Sequence, residues 1–313
     1  MHALWALPIL AAFAASAAAD EAFVTNQLSD DVSVIDLASG KTLALIPVGG
    51  KPAGIAMTRD GARAYVTSPE GKYVSVIDTI ARQTLKRIAV EGGPLGIAAH
   101  PSGAPIYVAD WYNARLYVVD PQAGTVTATI ATGQSPSGVA VSADGAVILT
   151  ADRDADQVSV IDAATLRRVA VIKTGTRPFG VTIAPDGARA YTANVGSDDV
   201  SVLDLVSRSE RARVPVGKRP YAVALAMGKG FVTDQYSGTV SVFDLETLQP
   251  LTSIVTGDYP EGIETSRDGK TVYVANWESN GLSVIDVATL KVTATHKTGD
   301  GPRAFGSFLR VTP

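Results

Sequence analysis

The chain contains no cysteine at all. That excludes disulfides, thiolate metal sites, a cysteine nucleophile, covalent haem attachment and a lipidated N-terminal cysteine. In an oxidising compartment it also avoids mispairing, so the absence does not point to the cytoplasm. Histidine is nearly missing too: His2, His100 and His296 are the complete set. Three residues so scattered make no zinc, copper or iron site and no Ser-His-Asp arrangement. No excess of positive charge is present, since Lys plus Arg total 27 against 31 Asp plus Glu, for a net charge of −4. A general pull towards nucleic acid or anionic membrane is therefore not expected, and any basic binding surface has to be local. Also lacking are a GxGxxG or P-loop signature and any segment with the length and 3.6-residue period of a core helix.

What is present is ordered-protein composition, with 46% hydrophobic and 19% charged residues in 313. A chain of that length buries a large core without covalent staples. Residues 3–19 form one apolar, Ala-rich run that ends in Ala17-Ala18-Ala19 before Asp20. Residues 1–19 are read as a signal peptide, with a periplasmic or secreted mature chain, although the n-region has no Lys or Arg. The alternative is a retained anchor; the run is near the lower limit for a spanning helix and contains Pro8. No later segment is apolar enough to span, so no membrane span is expected after cleavage.

A Val-Ile-Asp-like motif recurs along the whole mature chain, at Asp36, Asp78, Asp120, Asp162, Asp204, Asp244 and Asp286. The spacing is 42 residues throughout, except for 40 between Asp204 and Asp244. One unit, Lys51 to Val90, parses into four short runs rich in Val, Ile and Tyr: Gly54–Thr58, Arg63–Thr67, Tyr73–Asp78 and Thr84–Val90. The Asp60-Gly61 pair supplies the first hairpin turn. Four antiparallel strands at a period of about 40–45 residues make a propeller blade. Both ends of the chain stop in mid-unit: Ala22–Asn26 aligns with a second strand, and Gly301-Pro302-Arg303 opens a first strand. The reading is an all-β, seven-bladed propeller over 20–313, closed by one C-terminal and three N-terminal strands, which ties the ends together and leaves no frayed edge.

The segment Phe23–Asn26, FVTN, has relatives YVTS, YVAD, YTAN, FVTD and YVAN in the other units. In these motifs the chain resembles the YVTN-type β-propeller family over essentially all of its mature length. The resemblance implies a propeller, typically of an exported bacterial protein. It leaves function open, because members include proteins of quinoprotein pathways, of cell surfaces and of nucleic-acid binding.

Sameness between units marks scaffold. Each repeated aspartate leaves a third strand and enters a turn, where its side chain bonds nearby amides. The Pro-x-Gly steps, Pro52/Gly54, Pro94/Gly96, Pro136/Gly138, Pro178/Gly180 and Pro260/Gly262, begin the innermost strands; Ala222 and Ala304 break the pattern. Glycine there leaves room where blades crowd the axis and permits unusual backbone angles. Asn26, Asp110, Asp152, Asn194, Asp234 and Asn276, with Ser68 as exception, share one register as loop-turning residues first and ligands second.

Difference between units marks function. The loops from fourth to next first strand share a face with the second-to-third loops, around the mouth of the channel. The residues flanking the loop proline are mostly small in the first three units. In the next four they are Arg177 and Phe179, Arg219 and Tyr221, Tyr259 and Glu261, and Gly301 and Arg303. The second-to-third loops add Trp111, Tyr112, Gln235, Tyr236, Trp277 and Glu278. Arg forks recognise carboxylate or phosphate, and aromatics offer stacking faces. The expectation is a non-enzymatic binding propeller that presents Arg177, Phe179, Arg219, Tyr221, Tyr259, Glu261, Trp277, Arg303 and Trp111 to a small anionic ligand or a partner protein. The competing expectation is that these side chains pack on one another and plug the channel. Three further functions stay open: a hydrolase or lactonase at the same mouth using Glu261, Glu278, Asp110 or Asp152, single-stranded nucleic-acid binding, and an accessory role beside a quinoprotein dehydrogenase. No cofactor or metal is expected. The run Asp152-Arg153-Asp154-Ala155-Asp156 alternates carboxylates as a Ca²⁺ loop does, but lacks the Gly and Glu of an EF-hand, and a solvated turn is the simpler reading.

Overall fold

The computed structural model describes residues 20–311, so the leader segment read at 1–19 lies outside the described residues. Those residues form seven four-stranded antiparallel blades around one axis, with a single short 3-10 turn at Arg153–Ala155. No helix among the described residues is long and apolar enough to cross a membrane. In blade 1 the strands are Gly54–Met57, Arg63–Ser68, Tyr73–Asp78 and Gln83–Ala89, within two residues of the sequence reading at each end. Second and third strands are buried on both faces between neighbouring blades, as in AYVTS and VSVI, and read as continuous Val/Ile/Tyr runs. Outer strands face solvent, with one buried residue, Ile88 in blade 1, turned inward. The core is the set of gaps between blades.

The repeated residues do the structural work their register implied. Asp78 accepts the Ile80 and Ala81 amides at 3.0 and 2.9 Å, and Asp244 those of Glu246 and Thr247 at 3.0 and 2.7 Å. These amide bonds hold both carboxyls below the usual range. The inner-strand glycines are required by close approach, and their φ is not positive: a Cβ on Gly96 would lie 1.8 Å from the Ser137 carbonyl oxygen, and one on Gly54 2.2 Å from that of Leu95. Unusual angles fall instead on the residue before the proline, at Lys51, Ser135, Arg177, Arg219 and Tyr259, with φ between 52° and 57°.

The Asx register is fully buried, which corrects the picture of loop residues; in the Asp152–Asp156 turn Asp152 is buried, while Asp154 and Asp156 are exposed as expected of a solvated turn. Asp110, Asp152, Asp234 and Asn276 each accept an amide of the loop entering from the previous blade and so tie that loop to their own blade. Asp152 accepts the Gly133 amide at 2.8 Å, Ser159 at 2.6 Å and Gln157 at 3.1 Å. Asp234 accepts the Gly217 amide, Thr239 and Ser241 at 3.0, 3.0 and 2.7 Å. Where the residue five positions on is itself Asp, the register residue is Asn: Asn26 donates to Asp31 and Asn194 to Asp199, each at 2.6 Å. Two carboxylates at that distance would repel, so each cluster carries at most one.

Ring closure follows the expected one-plus-three arrangement, with an irregularity. Pro302 bridges Asn26, as first-strand prolines do elsewhere, and Leu309–Arg310 pairs with Glu21–Ala22. Between them the chain swings out, and Phe305–Ser307 runs parallel to the inner strand of blade 1. Gly306, at φ 131°, makes that excursion possible. Phe308 then drops into the core, fully buried, and its carbonyl takes the Phe23 amide at 2.8 Å.

Candidate functional site: the two ends of the channel

The loop before each inner strand is hydrogen-bonded to the second-to-third loop of the same blade. The Trp277 amide donates to the Tyr259 carbonyl at 2.9 Å, Gln235 to Arg219 at 3.1 Å, and Val195 to Arg177 at 2.9 Å. This brings the residues singled out in the sequence to one face, where they divide into a central cluster and a rim.

The central cluster joins inner strands across the axis. Phe179 stacks on Tyr221 and Phe305 at ring distances of 4.3 and 5.1 Å, Tyr221 meets Phe305 at 5.3 Å, and Trp111 reaches Phe179 at 6.1 Å. Ala53 and Leu95 from the small-residue side belong to the same apolar cluster. Beside it, Arg303 Nε donates to Glu261 Oε2 at 2.7 Å, and Gln235 Nε2 to Glu261 Oε1 at 2.6 Å. A second Arg303 nitrogen donates to the Tyr221 hydroxyl. Side-chain exposure is 15% for Arg303 and 6% for Glu261. Burial works against the Arg303 charge, but the adjacent Glu261 outweighs it and keeps the guanidinium protonated; burial pushes the Tyr221 phenol up. Phe179, Tyr221, Glu261 and Arg303 thus satisfy one another and fill the channel end.

The rim is exposed. Arg219 lies over Tyr236 at 4.8 Å and donates to its hydroxyl at 3.0 Å. Tyr236 meets Tyr259 at 5.6 Å, and Tyr259 meets Trp277 at 6.2 Å. Trp277 Nε1 then reaches Gln27 of blade 7 at 3.3 Å. Tyr236 is 59% and Tyr259 36% exposed. Across the ring, Arg153 lies 5.4 Å from the centre of the Trp111 ring and bonds Asp154 at 2.7 Å, with Arg177 3.9 Å from the same carboxylate. Asp154 also accepts Ser135 Oγ, and Asp156 the Arg177 amide, both at 2.7 Å. The carboxylates of that loop serve separate partners, and no group of three or more metal-ligating side chains occurs among the described residues. Of the other acids considered for catalysis, Asp110 is fully buried and bonded to Arg115 at 2.8 Å.

The opposite end of the channel, towards the first-strand hairpins, holds a cavity of about 590 Å³. Its wall is made of small and aliphatic residues of six inner strands, Ile97, Ile183, Leu225 and Ile263 among them, together with Met57, Thr182, Thr265, Phe305 and Ser307. Its one charged side chain is Glu264. Glu264 Oε2 accepts the Phe308 and Leu309 amides at 2.6 and 2.8 Å, and Oε1 accepts Ser307 Oγ at 2.9 Å. These are amides left unpaired by the swung-out closing strand. Burial raises the Glu264 carboxyl to about 7, against the pull of those bonds. Sequence reasoning passed over this residue. The signal was in the register: four positions after each loop proline stand Ala56, Ala98, Ala140, Thr182, Ala224 and Gly306, and only here Glu264.

Fold and site together define a β-propeller whose channel is closed at one end and hollow at the other. By sequence the chain belongs to the YNCE-like β-propeller family, whose model matches residues 108–309. The model of the cytochrome D1 heme domain also matches over half of the chain, residues 10–187. No protein in the curated set matches in sequence. Among solved structures, a chain of hydrazine synthase from Kuenenia stuttgartiensis is similar at TM-score 0.72 and 20% identity, over 82% of this chain and 89% of that one. A protein of unknown function from Desulfotomaculum acetoxidans is similar at TM-score 0.79 and 19% identity, over 91% and 99%. At these identities the likeness is one of fold.

One of these families is named for a haem. A haem takes an axial His, Cys, Tyr or Met and partners for its propionates. Here the wall provides only the Met57 thioether, no Arg or Lys, and a carboxylate that would repel propionates. His100 sits in a hairpin turn bonded to Ser102 at 2.7 Å, and His296 lies in an outer strand. The residues lining the hairpin-side cavity do not fit the group.

Proposed function

We propose that the protein is an exported binding propeller, without catalytic chemistry of its own, that holds a partner polypeptide across the rim of the mouth face. The observation that carries this is the continuous ladder Arg219–Tyr236–Tyr259–Trp277, exposed at its two tyrosines and half-buried at its two ends. Tyr, Trp and Arg are the residue types that dominate protein interfaces. The filled channel end supports a surface partner over a small ligand at the mouth. Arg303, one of the three arginines expected to meet an anion, is neutralised by Glu261. Charge along the ladder is mixed, with Lys218 and Arg219 at one end and Asp258 and Glu278 at the other, which suits a polypeptide better than a polyanion. The rings are tilted by 64° and 51° to one another, which disfavours a run of stacked bases. Export rests on the leader-like residues 1–19, and the finer likeness to YVTN-type proteins rests on the FVTN-like motifs.

The test is capture from the cell-envelope extract of the source organism, with immobilised wild type beside a Tyr236→Ser/Tyr259→Gly/Trp277→Ser variant of matched melting temperature. A polypeptide retained by the first and released by the second supports the reading. Equal retention by both sinks it, and salt-sensitive retention of single-stranded DNA in its place would favour nucleic-acid binding.

A further inference from the structure

The hollow end of the channel is independent of the rim, and its chemistry points to a ligand of its own. Its volume, about 590 Å³, falls in the range of small-molecule sites, which are concave, largely apolar and equipped with a few polar groups. At the level of Ala56, Ala98, Ala140, Thr182, Ala224 and Gly306, six of seven inner strands give up side-chain volume, and the seventh contributes Glu264. A ring that needed only to be filled would carry larger side chains here, as it does one turn of the wall higher at Phe179 and Tyr221.

The sign of the ligand follows from what lines the cavity. Glu264 is the one ionisable side chain on the wall, and the wall holds neither Lys nor Arg. A phosphate or carboxylate entering would lose its hydration with no cation to replace it. An ammonium would meet a carboxylate fixed from behind by three hydrogen bonds. Oε1 carries one of these bonds and Oε2 two, so Oε1 keeps a free acceptor direction. The Thr182 and Thr265 hydroxyls are turned onto the Val223 and Leu225 carbonyls at 2.6 and 3.1 Å, and their oxygens still accept.

We propose that the hairpin-side cavity binds a small organic ammonium ion, its charged head on Glu264 and its apolar part against the Ala and Val wall. The second role of Glu264, pinning the closing segment Ser307–Leu309, positions the carboxylate and is compatible with the first.

The experiment titrates the full mature chain with butylammonium chloride, sodium butyrate and butanol, following melting temperature and calorimetric heat at constant ionic strength. Wild type is compared with Glu264→Gln, which keeps a carbonyl acceptor for the two amides, and with Ala140→Leu, which fills the cavity from a different blade. The expected result is saturable binding of butylammonium alone, weakened about tenfold or more in Glu264→Gln, as loss of a charged hydrogen-bond partner implies, and abolished in Ala140→Leu. Absence of saturable butylammonium binding to wild type overturns the proposal. So does butyrate binding as tightly, or a Glu264→Gln affinity equal to wild type. None of these outcomes bears on the rim, whose test uses different residues and a different face.

Discussion

The same seven inner strands end in two different ways. One residue after the loop proline they carry Ala53, Leu95, Ser137, Phe179, Tyr221, Glu261 and Arg303; three residues further on they carry Ala56, Ala98, Ala140, Thr182, Ala224, Glu264 and Gly306. The first layer is large on one side of the ring and interlocks across the axis into a stopper of rings and one ion pair. The second is small all round and leaves a cup with one carboxylate on its wall. Six of the seven inner strands share one backbone geometry, so side-chain volume, together with Phe305 from the swung-out closing segment, decides that the channel is blind. The two ends of the channel are therefore separable surfaces, a closed face and an open cup.

The sharpest way to break the contrast is to spoil the stopper. Glu261→Ala leaves the Arg303 guanidinium buried with no counter-charge, and a loss of about 3–5 kcal/mol in denaturant unfolding is expected. Replacing both partners by Met should cost much less, because a buried pair returns little over a well-packed apolar isostere. Phe179→Ala removes the ring that touches Trp111, Tyr221 and Phe305, and the expected loss is likewise about 3–5 kcal/mol. In that variant the cup should connect to the mouth, read as a larger channel volume in a crystal structure.

At the hollow end the expected effect is a pH slope. The folded Glu264 carboxyl is raised from 4.5 to about 7, so the folded state holds its proton more tightly than the unfolded chain does. Its contribution is fully present below about 4.5 and is lost as pH rises through about 7. Wild-type stability minus that of Glu264→Gln should fall across this window in chemical denaturation, and a flat difference would count against the raised value. The smallest effect belongs to the rim. Tyr259 has φ 52°, a conformation that costs a side chain about 1 kcal/mol relative to glycine. Tyr259→Gly should leave stability within about 1 kcal/mol of wild type, the relieved strain offsetting lost ring contacts, while partner capture drops.

Much of the site was legible as blade-to-blade difference, because a repeat makes every departure visible. Arg177, Arg219, Tyr259, Trp111 and Trp277 stand out that way, and they do lie on one face. What could not be read was how Phe179, Tyr221, Glu261 and Arg303 would use one another, since they lie in blades 4 to 7 and their mutual distances depend on how far the ring closes. Glu264 is odd in its register, yet its partners lie in a strand whose excursion no pattern announces, so its role stayed hidden.

The sequence by itself determined the seven blades, their four-strand parse, the turn aspartates and the closure by both termini. Each of these rests on local chemistry, namely strand-forming runs, turn residues and a 42-residue period. Only the tertiary structure decided that the channel is stopped at one end and hollow at the other, that Arg303 is spent on Glu261, and that the last strand swings out to leave amides for Glu264. Those outcomes depend on side chains meeting across the axis from blades far apart in the chain, where volume and charge are balanced by neighbours that no local pattern identifies.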